Sequence, residues 1–191
     1  LSYRGETYSQ QKAKEILIEG ILSKEKKIIS VNGPKGIGKS IVLKSAIQDF
    51  KEQEITWFFG ECNAITQISP CGLIQDILLT FFNVANYCAD GLQLKKNSQR
   101  FFQSEFPTLT NDEIFNLLNF LYPSNTDYFE NILYNKEKTF TFLKKVFKTI
   151  VENSNTVLIV DNFDLIDGLS YEFLHNLLNS ELSEQSLKFI L

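Results

Sequence analysis

A glycine-rich stretch, residues 33–40, reads G-P-K-G-I-G-K-S and fits the pattern G-x-x-x-x-G-K-S/T at every fixed position. Glycines at these places let the backbone curl so that successive N–H groups point inward and bind an anion. The lysine adds a point charge for phosphate oxygens, and the serine hydroxyl offers an oxygen ligand to Mg²⁺. The stretch predicts a phosphate-binding loop, for which the alternative is a plain glycine turn. The residues expected to contact a nucleotide are Gly33, Pro34, Lys35, Gly36, Ile37, Gly38, Lys39, Ser40 and Ile41.

An acidic residue ends a later apolar run, V-L-I-V-D, at Asp161. P-loop NTPases hold Mg²⁺ partly through such an aspartate. Ser40 and Asp161 are therefore the predicted metal-binding residues, with Asp161 acting through a metal-bound water. Taken alone, Asp161 fits a helix cap equally well, and the phosphate loop decides in favour of the metal.

The residue after this aspartate bears on hydrolysis. Lys39, Asp161 and Asn162 form the predicted catalytic set. Many ATPases of this type carry an acid at the position of Asn162, and asparagine positions a water without being able to accept its proton. The sequence thus predicts either slow hydrolysis or an acid supplied from elsewhere. Asp164 and Asp167 follow in a predicted loop and are interpreted as turn or cap residues.

The elements that must position these residues alternate along the chain. Four apolar runs are predicted strands: Lys27–Gly33, Ile55–Cys62, Thr156–Asp161 and Leu187–Leu191. Helical spacing of apolar residues predicts helices over 11–22, 39–50, 70–82, 111–122, 140–151 and 169–178. Strands that are apolar throughout and alternate with helices indicate an α/β fold with a mostly parallel sheet covered on both faces. Together with the phosphate loop, this pattern predicts a three-layer α/β/α P-loop NTPase.

Two features concern the region between the second and third strands. Residues 98–152 are predicted to be a helical insertion, preceded by a polar loop over Asp90–Arg100. Within it, Thr110 and Glu113 have the spacing of a capping box, and Leu109 and Ile114 are placed for a hydrophobic staple. The sequence predicts that a helix begins at about residue 111. The whole chain, residues 1–191, is interpreted as one domain.

Composition limits the classes of partner. The formal net charge is −4 with an isoelectric point near 5.1, which argues against a nucleic-acid-binding segment. Three cysteines without a C-x-x-C pair favour a reducing compartment, and no apolar run is long enough to span a membrane. A cytoplasmic protein without a membrane partner is predicted. The lysines near residues 144–148 are interpreted as a solvated helix face.

Four segments together resemble the AAA+/STAND class of signal-transduction ATPases, and in particular the origin-recognition-like AAA ATPase module of bacterial regulators. They are Y-R-G-E near the start, G-P-K-G-I-G-K-S, the segment from F-F-G-E-C to the following helix, and V-L-I-V-D-N-F-D-L-I-D. Asp161 and Asp167 match the family pattern. Glu6 and Asn162 depart from it, where an arginine and an acid are usual.

The resemblance implies an ASCE/AAA+ type fold and a regulatory switch that uses ATP and Mg²⁺ inside a longer protein. A lid and a final strand are expected beyond Leu191, so the chain is interpreted as C-terminally truncated. Protein partners or self-association through the ATPase module are also implied. Two alternatives stay open: a non-hydrolysing nucleotide-binding scaffold, favoured by Asn162, and a DNA-associated AAA+ ATPase, disfavoured by the acidic balance. A small-molecule kinase fits the long helical insertion poorly.

Overall fold

The computed structural model describes residues 8–23, 28–34, 36–50, 55–82, 99, 102–104, 106–123, 132, 135–151, 155–180 and 187–191. The strands are β1 (Ile28–Ile29), β2 (Ile55–Glu61), β3 (Asn155–Asp161) and β4 (Leu187–Ile190). The helices are α1 (Tyr8–Leu22), α2 (Lys39–Asp49), α3 (Ala64–Ile68), α4 (Gly72–Phe81), α5 (Asn111–Leu121), α6 (Lys136–Val151) and α7 (Gly168–Leu178). A 3-10 turn spans Phe163–Leu165 between β3 and α7.

The strands form one parallel sheet in the order β1-β4-β3-β2. The longest pairing joins β2 to β3, from Ile55 opposite Asn155 to Glu61 opposite Asp161. Because all the strands run the same way, their carboxyl ends meet at a single edge of the sheet, where α/β proteins place their ligands. The phosphate loop follows β1 at this edge, and Asp161 ends β3 there.

Helices cover both faces of the sheet, so the predicted fold class is confirmed. The face toward α1 and α2 buries a cluster that includes Leu17, Val42, Ala46, Val157 and Ile159. The face toward α4, α6 and α7 buries a larger, phenylalanine-rich cluster that includes Phe58, Ile77, Phe147, Leu158 and Phe173. Alternate residues of β3 enter opposite clusters, as the period of two in a strand requires. An apolar strand covered on both faces is the pattern that the sequence carries.

The capping box of α5 forms as predicted. The Thr110 hydroxyl accepts the amide hydrogen bond of Glu113 at 3.3 Å, and a Glu113 carboxylate oxygen accepts that of Thr110 at 2.8 Å. Lys145 of α6 donates to the other carboxylate oxygen of Glu113, and this hydrogen bond is the largest cause of a lowered Glu113 pKa. Leu109 and Ile114 are both buried in the larger cluster. The box therefore fixes the start of α5 and ties it to α6.

Several boundaries differ from prediction. The first strand is only Ile28–Ile29, although Leu191 and Val31 extend its pairing with hydrogen bonds from Leu191 to Ile29 and from Val31 to Leu191. The chain then leaves the sheet to form the loop. The helix expected from residue 70 begins at Gly72, because Cys71 has a left-handed backbone with φ of 58°. Asn155, expected in a turn, begins β3.

Helix α3 was not predicted from the sequence. Part of the predicted helical insertion lies outside the described residues. α3 begins with a capping box in which Asn63 accepts from the amides of Ile65 and Thr66. The predicted loop over 90–100 lies outside the described residues except for Gln99. Among the helices that the structure describes, none is long and apolar enough to cross a membrane.

Candidate nucleotide-binding site

The phosphate loop has the backbone that its glycines were predicted to provide. Gly36 and Gly38 have φ values of 85° and 100°, in the left-handed region that side-chain-bearing residues rarely adopt. Gly38 is the N-cap of α2, and its carbonyl accepts the amides of Ile41 and Val42. The α2 N-terminus, with the positive end of its dipole, therefore opens directly into the loop. Lys35 lies outside the described residues.

The Lys39 side chain folds back across the loop. Its ammonium donates to the Gly33 carbonyl at 2.9 Å and to the Pro34 carbonyl at 3.4 Å. An ammonium has three donors, so one remains for a further acceptor even with both of these bonds made. The loop backbone thus holds a positive charge beside the N-terminus of α2.

Ser40 and Asp161 meet, although 121 positions separate them in the chain. The Ser40 hydroxyl donates to Oδ2 of Asp161 at 2.7 Å, and Oδ1 of Asp161 accepts the amide of Asn162 at 2.9 Å. A serine hydroxyl that binds Mg²⁺ through its oxygen keeps its proton and can donate it to a carboxylate outside the first ligand shell. This hydroxyl–carboxylate pair therefore fits the oxygen chemistry of a Mg²⁺ site in which Asp161 acts through a water. No group of three or more His, Cys, Asp or Glu side chains among the described residues is arranged to hold a metal, so phosphate and water oxygens would complete such a site.

Asn162 follows with a left-handed backbone, φ 55° and ψ 43°. Asparagine tolerates this conformation better than most residues. Asn162 is exposed and begins the 3-10 turn, for which its side chain makes no capping hydrogen bond. The structure therefore places Asn162 at the sheet edge beside Asp161, and its predicted catalytic role stays a prediction.

A contact from α1 to the loop was not predicted. Gln10 donates from Nε2 to the Ile37 carbonyl at 3.3 Å. The same Nε2 would lie 2.5 Å from a β-carbon at position 38, so Gln10 packs closely against the glycine. A glutamine in an amphipathic helix carries no sequence signal for this role. The contact ties α1 to the loop.

Asp167 was predicted to be a turn or cap residue, and the structure shows it capping two helices. Its Oδ1 accepts the amides of Ser170 in α7, at 2.9 Å, and of Cys71 at the start of α4, at 3.1 Å. Its Oδ2 accepts the amide of Leu73 at 3.3 Å. The residue is only 6% exposed. One carboxylate thus joins the beginnings of α4 and α7, a short way along the chain from Asp161.

The buried thiols of Cys62 and Cys71 both lie close enough to Asp167 to be affected by its charge. Burial raises the pKa of Cys62 to about 12, with a further increase from the negative charge of Asp167. Burial, followed by the charges of Asp167 and Glu172, raises the pKa of Cys71 to about 12 as well. The thiolate is the reactive form of cysteine, so both residues are chemically inert structural thiols at neutral pH.

We expect Cys62 and Cys71 to resist alkylation by iodoacetamide near pH 8, reacting at least about 100-fold more slowly than in the denatured chain. Their folded pKa values lie above the ordinary value of 9.0. The contribution of the neutral thiols to the free energy of unfolding is therefore fully present below pH 9.0. It is lost as the pH rises from 9.0 toward 12. Peptide mass spectrometry would locate the label on each peptide in the native and the denatured chain. Equal labelling rates for native and denatured protein would contradict the prediction.

Comparison with protein families matches residues 22–191 to the AAA domain. Comparisons with curated proteins and with solved structures found no match. The matched segment covers most of the chain and contains both the phosphate loop and the strand that ends at Asp161. The chain belongs to the AAA domain family and is an AAA-type P-loop ATPase module.

Proposed function

We propose that this chain is the ATP-binding and ATP-hydrolysing switch module of a multidomain signal-transduction ATPase. The observation that carries the proposal is the 2.7 Å hydrogen bond between Ser40 and Asp161. It brings a hydroxyl and a carboxylate from distant parts of the chain to the edge of the sheet where the phosphate loop lies. If the loop were only a glycine turn that binds no ligand, its sequence would not lead us to expect a hydrogen bond between Ser40 and Asp161.

Each group of residues in the site has a role that follows from its chemistry. Backbone amides of the loop, other than that of Pro34, which has no N–H, and the α2 N-terminus bind phosphate oxygens, and Lys39 adds its positive charge. Ser40 and Asp161 would hold Mg²⁺, with Asp161 acting through a water. The ion, when bound, supplies positive charge that stabilises the phosphoryl group during transfer.

The conformational change of the switch would pass from the nucleotide-binding site to helices α4 and α7. A ligand shifts a conformational equilibrium only through contacts that differ between the two states. We propose Asp161 as such a contact, because the chain leads from it through the 3-10 turn to Asp167, which binds the first turns of α4 and α7. A shift of β3 with the nucleotide state would therefore reach both helices. Protein partners in the cytoplasm would bind the two helix positions with different affinities.

A second candidate is a nucleotide-binding scaffold that does not hydrolyse ATP. Asn162 favours it, because an amide cannot accept the proton of an attacking water. A DNA-associated AAA+ ATPase has less support. The described lysines 136 and 145 of α6 are paired with Glu172 and Glu113, which leaves less free positive charge for phosphates.

Calorimetric titration with Mg-ATP and Mg-ADP tests the proposal. We expect the chain to bind both with a dissociation constant on the order of micromolar, and Lys39→Ala to weaken binding about 100-fold, or about 2.7 kcal/mol. Lys44→Ala is the matched control, because Lys44 is an exposed lysine of the same helix. Its affinity should stay within about threefold of the wild type.

Two results would decide against the proposal. One is a folded wild-type chain that binds neither nucleotide. The other is equal affinity of the wild type and Lys39→Ala, which would place binding outside the loop. Thermal unfolding of each variant shows whether it is folded, since Lys39 also bonds the Gly33 and Pro34 carbonyls.

A further inference from the structure

We propose that Glu61 accepts the proton of the attacking water, in place of the acid that position 162 lacks. The inference rests on the proposed function, since it concerns hydrolysis at the same site. Glu61 is the last residue of β2, and its register partner in β3 is Asp161. Neighbouring strands lie about 5 Å apart, so the two carboxylates leave the sheet side by side at its carboxyl edge.

Glu61 also lies on the correct face of the sheet. Trp57 and Phe59 pack against the cluster under α1 and α2. Side chains alternate along a strand, so residue 61 is on the same face as residues 57 and 59. Asp161 is on that face too, where it accepts the hydrogen bond of Ser40 in α2. The Glu61 carboxylate is therefore on the side of the sheet that faces the phosphate loop.

Most of the other nearby carboxylates already have partners. Asp161 accepts from Ser40, Asp167 accepts three buried amides, and Asp76 accepts the amide of Glu61 itself at 3.0 Å. Glu61 is exposed, and no residue that the structure describes bonds its carboxylate. Its carboxylate oxygens are thus open to accept a hydrogen bond from a water at the edge of the site.

The strand order sets the place of this acceptor. β2 lies on the side of β3 away from β1 and its loop, so Glu61 is one strand further from the loop than Asp161. If the terminal phosphate of a bound nucleotide extends from the loop toward Asp161, its attacking water lies further in that direction, toward Glu61. The water oxygen attacks the terminal phosphorus, and the bond from phosphorus to the bridging oxygen breaks, with its electron pair leaving on the diphosphate. The water proton passes to Glu61, which then releases it to solvent.

The test compares the wild-type chain with Glu61→Gln and with Asp164→Asn, an exposed carboxylate in the turn after Asn162. Glutamine keeps the shape and positions water but cannot accept its proton. We expect Glu61→Gln to lower turnover about 100-fold. The Mg-ATP dissociation constant of this variant should stay within about threefold of the wild-type value. Its affinity for Mn²⁺ in the presence of ATP, measured by electron paramagnetic resonance, should stay within the same limit. Nucleotide recovered on this variant should remain ATP, whereas Asp164→Asn should match the wild type.

The possible results separate this inference from the proposed function. Wild-type protein that fails to bind Mg-ATP overturns both. Wild-type protein that binds ATP and leaves it intact overturns the inference and the hydrolytic part of the proposed function, and favours the nucleotide-binding scaffold. Glu61→Gln that hydrolyses ATP at the wild-type rate overturns the inference alone. A tenfold or larger loss of Mn²⁺ affinity in Glu61→Gln also overturns it, because it would make Glu61 a metal ligand. Loss of turnover in Asp164→Asn with none in Glu61→Gln would transfer the role to Asp164.

Discussion

Replacing Asp167 by alanine is expected to lower the free energy of unfolding by about 3–5 kcal/mol. The carboxylate accepts the amides of Cys71, Leu73 and Ser170. Alanine leaves these three donors without their partner in a buried place, and each such amide costs about 1–3 kcal/mol, part of which relaxation recovers. Both α4 and α7 lose the acceptor at their first turn. Urea denaturation followed by circular dichroism measures the change.

Two further variants identify the cause. Asp167→Asn keeps one acceptor oxygen and should lose less stability than Asp167→Ala. Asp164→Ala removes an exposed aspartate of the preceding turn and should change stability by no more than about 0.5 kcal/mol. Equal losses in Asp164→Ala and Asp167→Ala would show that general charge, rather than the double cap, is responsible.

Gly72→Ala is expected to destabilise the fold by about 3 kcal/mol. A β-carbon at this position would lie 2.3 Å from the Thr66 carbonyl oxygen and 2.9 Å from two other backbone atoms of Thr66. Backbone atoms of α3 cannot rotate away as a side chain end can. Either α3 or the first turn of α4 has to move, which also disturbs the amides that Asp167 caps. Thermal and urea unfolding would both report the loss.

Gly168→Ala is the matched control for Gly72→Ala. Each glycine is the first residue of its helix, but a β-carbon at Gly168 would meet nothing within 4 Å. Alanine there should be neutral or stabilise by about 0.4–1 kcal/mol, because it restricts the unfolded chain. A similar loss in both variants would mean that helix-start glycines, rather than the contact with α3, explain the effect.

The sequence predicted the features whose determinants are close together in the chain. The phosphate loop, the aspartate at the end of β3 and the capping box at Thr110 are short patterns in which each residue type has a local physical reason. Strands that are apolar throughout predicted a parallel sheet covered on both faces, and the structure confirms it. These features needed no knowledge of which strands are neighbours.

Ser40 and Asp161 are far apart in the chain but were predicted together because each belongs to a short motif, whereas distant contacts outside such motifs could not be predicted. The partners of Asp167 in α4 are 94 and 96 positions away, and Gln10 is 27 positions from the carbonyl that it contacts. The placement of Glu61 beside Asp161 follows only from the register of β2 with β3. α3 is different, since Asn63 and Thr66 gave a local capping signal that could have found it.

The hydrogen bond between Ser40 and Asp161 also has a consequence for how the protein folds. All the pairings in the sheet are between parallel strands that are far apart in the chain, so large loops must close before any strand finds its neighbour. Contacts of this kind slow folding compared with local ones. The loop motif alone, in a peptide or a partly folded chain, lacks the aspartate that completes it. A nucleotide that bound through both Ser40 and Asp161 would therefore stabilise the folded sheet relative to partly folded states.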